Sequence, residues 1–283
     1  MAYPTTDNVL QVLPNASNIE EVKVGAQKAV FLAVDPHIGK VVVKIMLPNG
    51  SPNRLLREID IVVSNNLINV PQIYCHGTIE IEQNKALYIL EEYIDGGDLR
   101  DYLSNQRRLP VADVLRLISN LLETIEQLEV CGVVHRDIKP ENIIRDKAGK
   151  YWLLDFGIAR DLGRASLTAT VAHFGPHTAG YAAPEQFKNL KKKIDSRADL
   201  FSVGVVASEA LSGEHPFAAG ANGYLDLLKR TEMMTVQPFE ISEDKSGELS
   251  NFINVLMNKF ASRRPPSARV AKSWFDEIVN KHF

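Results

Sequence analysis

Apolar positions follow two different periods along this chain. Val22 to Val34 and Lys40 to Leu47 are short runs rich in β-branched residues, parted by Asp35-Pro36-His37-Ile38-Gly39, and they predict strands joined as a hairpin. Within residues 52–65, Leu55, Leu56, Ile59, Val62 and Val63 recur at helical spacing. Further strands fit Gln72 to Ile81 and Ala86 to Ile94. Asp95-Gly96-Gly97 breaks the pattern. Beyond it the period turns helical over Leu99 to Asn105, Val111 to Val130, Ser196 to Leu211, Tyr224 to Met233, Ser250 to Phe260 and Ala268 to Val279.

The change of period predicts an α+β chain in two lobes. Residues 21–94 would form a small sheet carrying one helix, and residues 95–283 a larger, mainly helical part. The boundary is expected in the connector Glu92 to Gly97. Residues 1–20, rich in Thr, Asn and Pro, read as a flexible or loosely packed arm.

Composition narrows the class more by exclusion than by pointing. At 283 residues the chain can bury a sizeable core, and a formal charge of −3 gives no electrostatic case for nucleic acid or an anionic membrane as partner. Lys191-Lys192-Lys193 reads as a solvated loop. Cys75 and Cys131 lie in apolar contexts far apart, which suits buried free thiols in a reducing compartment better than a disulfide framework. The first residues lack the basic start and apolar run of a signal peptide, and no stretch has the roughly 18 uninterrupted apolar residues of a membrane span. A soluble cytoplasmic protein is the expectation.

The chemistry is concentrated in His135-Arg136-Asp137-Ile138-Lys139-Pro140-Glu141-Asn142, followed by Asp155-Phe156-Gly157. A carboxylate that can take a hydroxyl proton, a cation, an amide and a second carboxylate are the parts of a phosphoryl-transfer site, where catalysis is mostly positioning and charge stabilisation. The separation of 18 residues between Asp137 and Asp155, with a turn at Lys147-Ala148-Gly149, suits a hairpin returning both carboxylates to one place. With these motifs the chain resembles the protein kinase family, in its bacterial Ser/Thr form, and the resemblance runs over about residues 20 to 280.

That resemblance implies a bilobal kinase fold, with the nucleotide between the lobes and no room for a separate sensor domain. Asp137 would be the catalytic base, Lys139 would offset charge on the transferred phosphate, and Asn142 and Asp155 would hold Mg²⁺, with Mn²⁺ as an alternative. Val41-Val42-Val43-Lys44 looks like the strand presenting the phosphate-binding lysine, with Glu58 as its expected partner. The Gly-rich loop matches only at Gly25, since Lys23 and Lys28 stand at the other two positions. Val30, Val42, Glu92 and Tyr93 would line the rest of the ATP site. Glu91 stands where the family often has an apolar residue, and a carboxylate there needs a hydrogen-bond partner or an elevated pKa.

The stretch from Ile158 to Ala183 resembles an activation segment, ending in Thr178-Ala179-Gly180-Tyr181-Ala182-Ala183-Pro184-Glu185. Thr178 would contact the catalytic Asp and, with Lys139, favours Ser/Thr acceptors. Ser166, Thr168 and Thr170 are candidate phosphosites that would dock on Arg136; the bland reading is a segment ordered without phosphate. Glu141 would either read a basic residue near the acceptor or be a solvated carboxylate. Asp199 resembles the residue that braces the catalytic loop, and Arg264 the arginine that pairs with Glu185. The implied activity is ATP-dependent phosphorylation of protein Ser/Thr, with autophosphorylation. The alternatives are a pseudokinase that binds nucleotide without turnover, or a small-molecule kinase of the aminoglycoside type. Protein substrates are the expected partners, without nucleic acid, and the oligomeric state stays open.

Overall fold

The computed structural model describes residues 3–24, 28–47, 56, 59–60, 63–155, 180–187, 194–237 and 240–283. Among these, contacts divide the chain into two compact units. One holds the residues up to Asn66 together with Pro71–Asp95; the other holds Leu67–Val70 and the described residues from Gly96 onwards.

The first unit is a five-stranded antiparallel sheet. Its strands are β1 (Ser17–Val24), β2 (Lys28–Asp35), β3 (Gly39–Met46), β4 (Ile73–Ile81) and β5 (Asn84–Glu92), in the order β1-β2-β3-β5-β4. The hairpin turn expected at residues 35–39 joins β2 to β3, with Asp35 Oδ1 accepting from the N–H groups of His37 at 2.8 Å and Ile38 at 3.0 Å. Strand alternation then sorts the two faces. Ala29, Phe31, Ala33, Val41, Val43, Ile45, Ala86 and Leu90 are buried in one core, whereas Val30, Val42, Lys44, Ile89 and Glu91 lie on the other face. Leu56, Ile59, Asp60, Val63 and Ser64 are helical, as the spacing predicts.

Two features of this unit were not legible in the sequence. The run from Val22 to Val34 is divided between two strands, its first residues ending the exposed edge strand β1, which begins at Ser17 within the expected arm, and the rest from Lys28 forming β2. Strand β1 lacks apolar alternation and its pairing slips twice, between Ser17 and Glu20 and between Glu21 and Lys23. The supposed loose arm contains α1 (Thr6–Val12), whose Asn8 Oδ1 accepts from the Thr5 N–H at 2.9 Å. A helix of 7 residues is marginal alone. It is held because Val9, fully buried, and Leu13 enter the sheet core.

The second unit is built around helices. These are α2 (Leu99–Gln106), α3 (Val111–Val130), α4 (Pro184–Phe187), α5 (Ser196–Ser212), α6 (Tyr224–Met233), α7 (Glu248–Leu256) and α8 (Ala268–His282). A three-stranded sheet joins them: β6 (Gly96–Asp98), β7 (Ile143–Asp146) and β8 (Tyr151–Leu153). In α3 the buried positions Val114, Leu117, Ile118, Leu121, Leu122, Ile125 and Leu128 form one helical stripe. Helix α5 differs in kind, since every residue from Ala198 to Leu211 is buried. It starts at Asp195, whose carboxylate accepts from the Arg197 N–H at 3.0 Å, and stops at Gly213 in the left-handed region, φ 79°. Midway, a Cβ at Gly204 would lie 2.8 Å from Met257 Cγ, so only glycine lets α5 and the end of α7 approach this closely.

Cys75 and Cys131 are both free, but neither is buried as the sequence suggested: Cys75 is exposed and Cys131 only half-buried, since each lies near the end or edge of its element and not on its core face. No described helix is long and apolar enough to cross a membrane.

The packing of α1 is open to direct measurement. Val9→Ala removes two buried methyl groups, so it should lower unfolding free energy by about 2 kcal/mol in urea titrations. An unchanged midpoint would mean that the arm is not part of the core.

Candidate active site

The segment His135–Asn142 is anchored from beneath by α5. Asp199, fully buried in the first turn of that helix, accepts the backbone N–H of His135 at 2.8 Å and of Arg136 at 2.7 Å. The Arg136 carbonyl accepts from Gln186 Nε2 at 3.0 Å. Three bonds therefore hold a peptide stretch in which Arg136 has φ 66°, a conformation costly for a residue with a Cβ.

Beyond this anchor, three polar side chains converge within six residues. Asp137 Oδ2 accepts from Lys139 Nζ at 2.9 Å and from Asn142 Nδ2 at 2.8 Å, and the same amide nitrogen donates to the Asp137 carbonyl at 2.8 Å. Lys139 and Asn142 are buried and Asp137 is half-buried. The short 3₁₀ turn Pro140–Asn142 makes this closure possible by bringing Asn142 back over Asp137.

The hairpin β7–β8 then returns the chain to the same place. Ile143 pairs with Leu153, the Leu154 N–H donates to the Asn142 carbonyl at 2.8 Å, and the tight turn contains Gly149 at φ 81°. The Leu154 carbonyl meets His135 Nε2 at 3.0 Å. Because a carbonyl can only accept, Nε2 carries the imidazole proton and Nδ1 is left as an acceptor, facing the Asp137 N–H at 3.4 Å. Complete burial pushes the His135 pKa down to about 4, against opposing pulls from Asp137, Leu154 and Asp155. Asp155 follows directly, at φ 56°. The local fold thus presents Asp137, Lys139, Asn142 and Asp155 from one loop and one hairpin.

Asn142 spends both amide hydrogens on Asp137, which leaves its carbonyl oxygen to face other partners. With the Asp155 carboxylate this makes two hard oxygen donors, a set that fits Mg²⁺ or Mn²⁺.

Elsewhere in the second unit, Glu185 and Arg264 are brought together as a two-pronged pair, at 2.6 and 3.0 Å. Arg264, its side chain fully buried, also donates to the carbonyls of Asn258 at 2.7 Å and Arg197 at 2.8 Å, and packs over Phe201. Glu141 is half-buried and engaged: Arg100 Nε donates to it at 3.0 Å. Arg100 also binds Glu209, at 2.8 Å, and the Tyr181 hydroxyl, which in turn donates to Glu209. Burial and the adjacent Glu209 carboxylate hold the Tyr181 pKa well above the usual phenol range. Sequence reasoning missed this cluster. Its one signal was Glu209, a carboxylate in the mostly apolar later part of helix α5.

In the first unit, Lys44 on β3 makes an ion pair with Glu91 on β5, and both residues are buried. Val30 stands directly opposite Lys44, and Val42 opposite Glu91. Glu92 is tied to Gln72 by its N–H at 2.8 Å and its carboxylate at 3.1 Å, and Tyr93 lies under Lys40 Nζ at 5.1 Å. Gly25, Glu58, Ser166, Thr168, Thr170 and Thr178 lie outside the described residues.

Two consequences can be measured. The unfolded imidazole of His135 takes a proton near 6.5 and the folded one only near 4, so between these values the unfolded chain binds more protons. The stability contributed by the neutral, buried ring is therefore complete above about pH 7 and lost as pH falls through about 4, a difference on the order of 3 kcal/mol. Urea unfolding against pH should show that slope, and His135→Gln, which keeps a donor but does not titrate, should flatten it. Arg264→Leu should destabilise by about 3–5 kcal/mol by leaving Glu185 uncompensated. Arg264→Lys should restore only part of this, since an ammonium cannot reproduce the guanidinium fork.

Residues 18–275 match the sequence profile of the protein kinase domain. A probable serine/threonine-protein kinase of Streptomyces coelicolor is 33% identical over 199 residues, covering 68% of this chain and 29% of the relative. Another, from Bifidobacterium longum, is 33% identical over 208 residues, covering 70% and 26%. Serine/threonine-protein kinase PknB of Mycobacterium leprae is 31% identical over 200 residues, covering 68% and 32%. The chain spans about a quarter to a third of the length of these curated relatives. With a profile match across most of its length, laid over an antiparallel sheet followed by a helical unit, this chain belongs to the protein kinase domain family.

Proposed function

We propose that this chain transfers the γ-phosphoryl group of ATP to serine and threonine hydroxyls of protein. The observation that carries this reading is the closed arrangement of Asp137, Lys139 and Asn142, with the hairpin that sets Asp155 beside it. Family membership and the serine/threonine-protein kinase names of several relatives support the acceptor class.

In this reading Asp137 orients the acceptor hydroxyl and accepts its proton as the new oxygen–phosphorus bond forms and the bond to ADP breaks. Lys139 already touches the same carboxylate oxygen and is short enough in reach to shift onto the transferred phosphoryl group, balancing its charge. Asn142 and Asp155 hold Mg²⁺, which neutralises phosphate charge when bound with the nucleotide. Lys44 holds the nucleotide's phosphates, and Val30, Val42, Glu92 and Tyr93 contribute to the ATP site. Glu58 and Thr178 keep the roles that the family resemblance gives them. Asp199 acts through the backbone it supports, and Arg136 receives a phosphorylated Ser166, Thr168 or Thr170. Cytoplasmic location belongs to the same proposal.

The decisive experiment compares wild type with Asp137→Asn, each incubated with labelled ATP and Mg²⁺, by autophosphorylation and by transfer to a generic protein acceptor. Wild type should label Ser/Thr, and Asp137→Asn should lose about 10²–10⁴-fold in rate. Undiminished labelling in the variant would remove Asp137 from the chemistry. ATP binding without any transfer by wild type would favour a nucleotide-binding scaffold.

A further inference from the structure

Lys44 and Glu91 sit on neighbouring antiparallel strands. Lys44 faces Ile89 and Glu91 faces Val42, so the two charged residues are diagonal neighbours on one face of the sheet, two positions apart in register. Both are almost fully buried, 5% and 7% exposed, and their charged groups are in direct contact. A buried carboxylate or ammonium is tolerated only when paired, so each supplies the condition for the other. Glu91 thereby has the partner that a carboxylate at this position requires.

From this geometry we infer that Glu91 is a positioning residue that fixes the Lys44 ammonium for the phosphates of the nucleotide. The inference rests on the reading of Lys44 as the phosphate-binding lysine. An ammonium has three N–H donors. One directed at Glu91 fixes where the ammonium sits in the sheet and therefore where it meets phosphate oxygens. The carboxylate also balances the charge of Lys44 inside the sheet while no nucleotide is present.

What distinguishes this arrangement is where the support comes from. Glu91 and Lys44 are joined through a continuous ladder of backbone pairs from Val41–Glu92 to Met46–Leu87. Their spacing is therefore fixed by the sheet itself. The selectivity it confers is for the phosphate part of the ligand, since an adenosine moiety presents no anion to Lys44.

The test uses the full chain and two probes, MgADP and adenosine, titrated calorimetrically into wild type, Glu91→Gln, Lys44→Met and the double variant. Glu91→Gln should weaken MgADP by about tenfold and leave adenosine within about twofold. Adding Glu91→Gln to Lys44→Met should cost MgADP no more than a further twofold or so, because both changes remove one interaction. Unchanged or tighter MgADP binding in Glu91→Gln would overturn the inference. So would an equal loss for both probes, which marks a cavity wall, or fully additive losses. If Glu91→Gln does not fold, Glu91→Asp makes the same comparison by withdrawing the carboxylate one methylene: a loss confined to MgADP supports the inference, and unchanged affinity overturns it. Phosphoryl transfer by wild type is scored separately. A chain with the MgADP effect but no transfer refutes the kinase reading and keeps this one, while transfer without Lys44–Glu91 coupling does the reverse.

Discussion

The carboxylate of Asp199 is the constraint on which the site depends. Two backbone N–H groups, from His135 and Arg136, end on its two oxygens inside the unit's core. Left to itself, Arg136 would leave the left-handed region, and the loop that follows would relax with it. Asp199 can impose this geometry because it belongs to α5, a helix buried on all sides and therefore unable to shift without repacking the whole unit. The order of cause runs from an apolar helix, to one carboxylate at its start, to a strained loop, to the convergence of Asp137, Lys139 and Asn142.

The same helix organises the other polar groups around it. Ser202 Oγ donates to the Tyr181 carbonyl at 2.8 Å, and Glu209 takes both Arg100 and the Tyr181 hydroxyl. Next to its start, Arg264 reaches the Arg197 carbonyl while gripping Glu185. Among the described residues, the buried cations Arg264, Lys44 and Lys139 are each matched to a carboxylate with little water access. Such pairs contribute less to net stability than to definition of a single arrangement, because removing one partner strands the other. Glu141 illustrates the effect: half-buried, it is held in place by Arg100.

Most of the second unit was legible from periodicity. Helix α6 has the expected bounds, and α2, α3 and α5 differ from expectation by a residue at most, because their stripes and caps are local signals. Helix α7 begins two residues earlier than expected and stops at Leu256, since the chain turns into a short 3₁₀ segment at Ala261–Arg263 that positions Arg264. In the first unit the failures were of another kind. Strand β1 is an edge strand with few buried residues, and α1 is too short for a period to declare itself. Both exist because of what they pack against or pair with.

The sequence by itself determined the catalytic vocabulary: His135 to Asn142, Asp155 and Lys44 are short-range patterns whose order carries the family. It also implied that a carboxylate at Glu91 needs either a partner or an elevated pKa. Only the tertiary structure decided which partner, because the strand order runs β3-β5-β4 and sets a residue from a later strand beside Lys44. Alternation along a strand tells which residues share a face, but neighbours across a sheet are chosen by pairing between segments far apart in the chain. For the same reason the role of Asp199 was visible only as a resemblance until the two N–H groups it holds, 63 and 64 residues away, were seen on its oxygens.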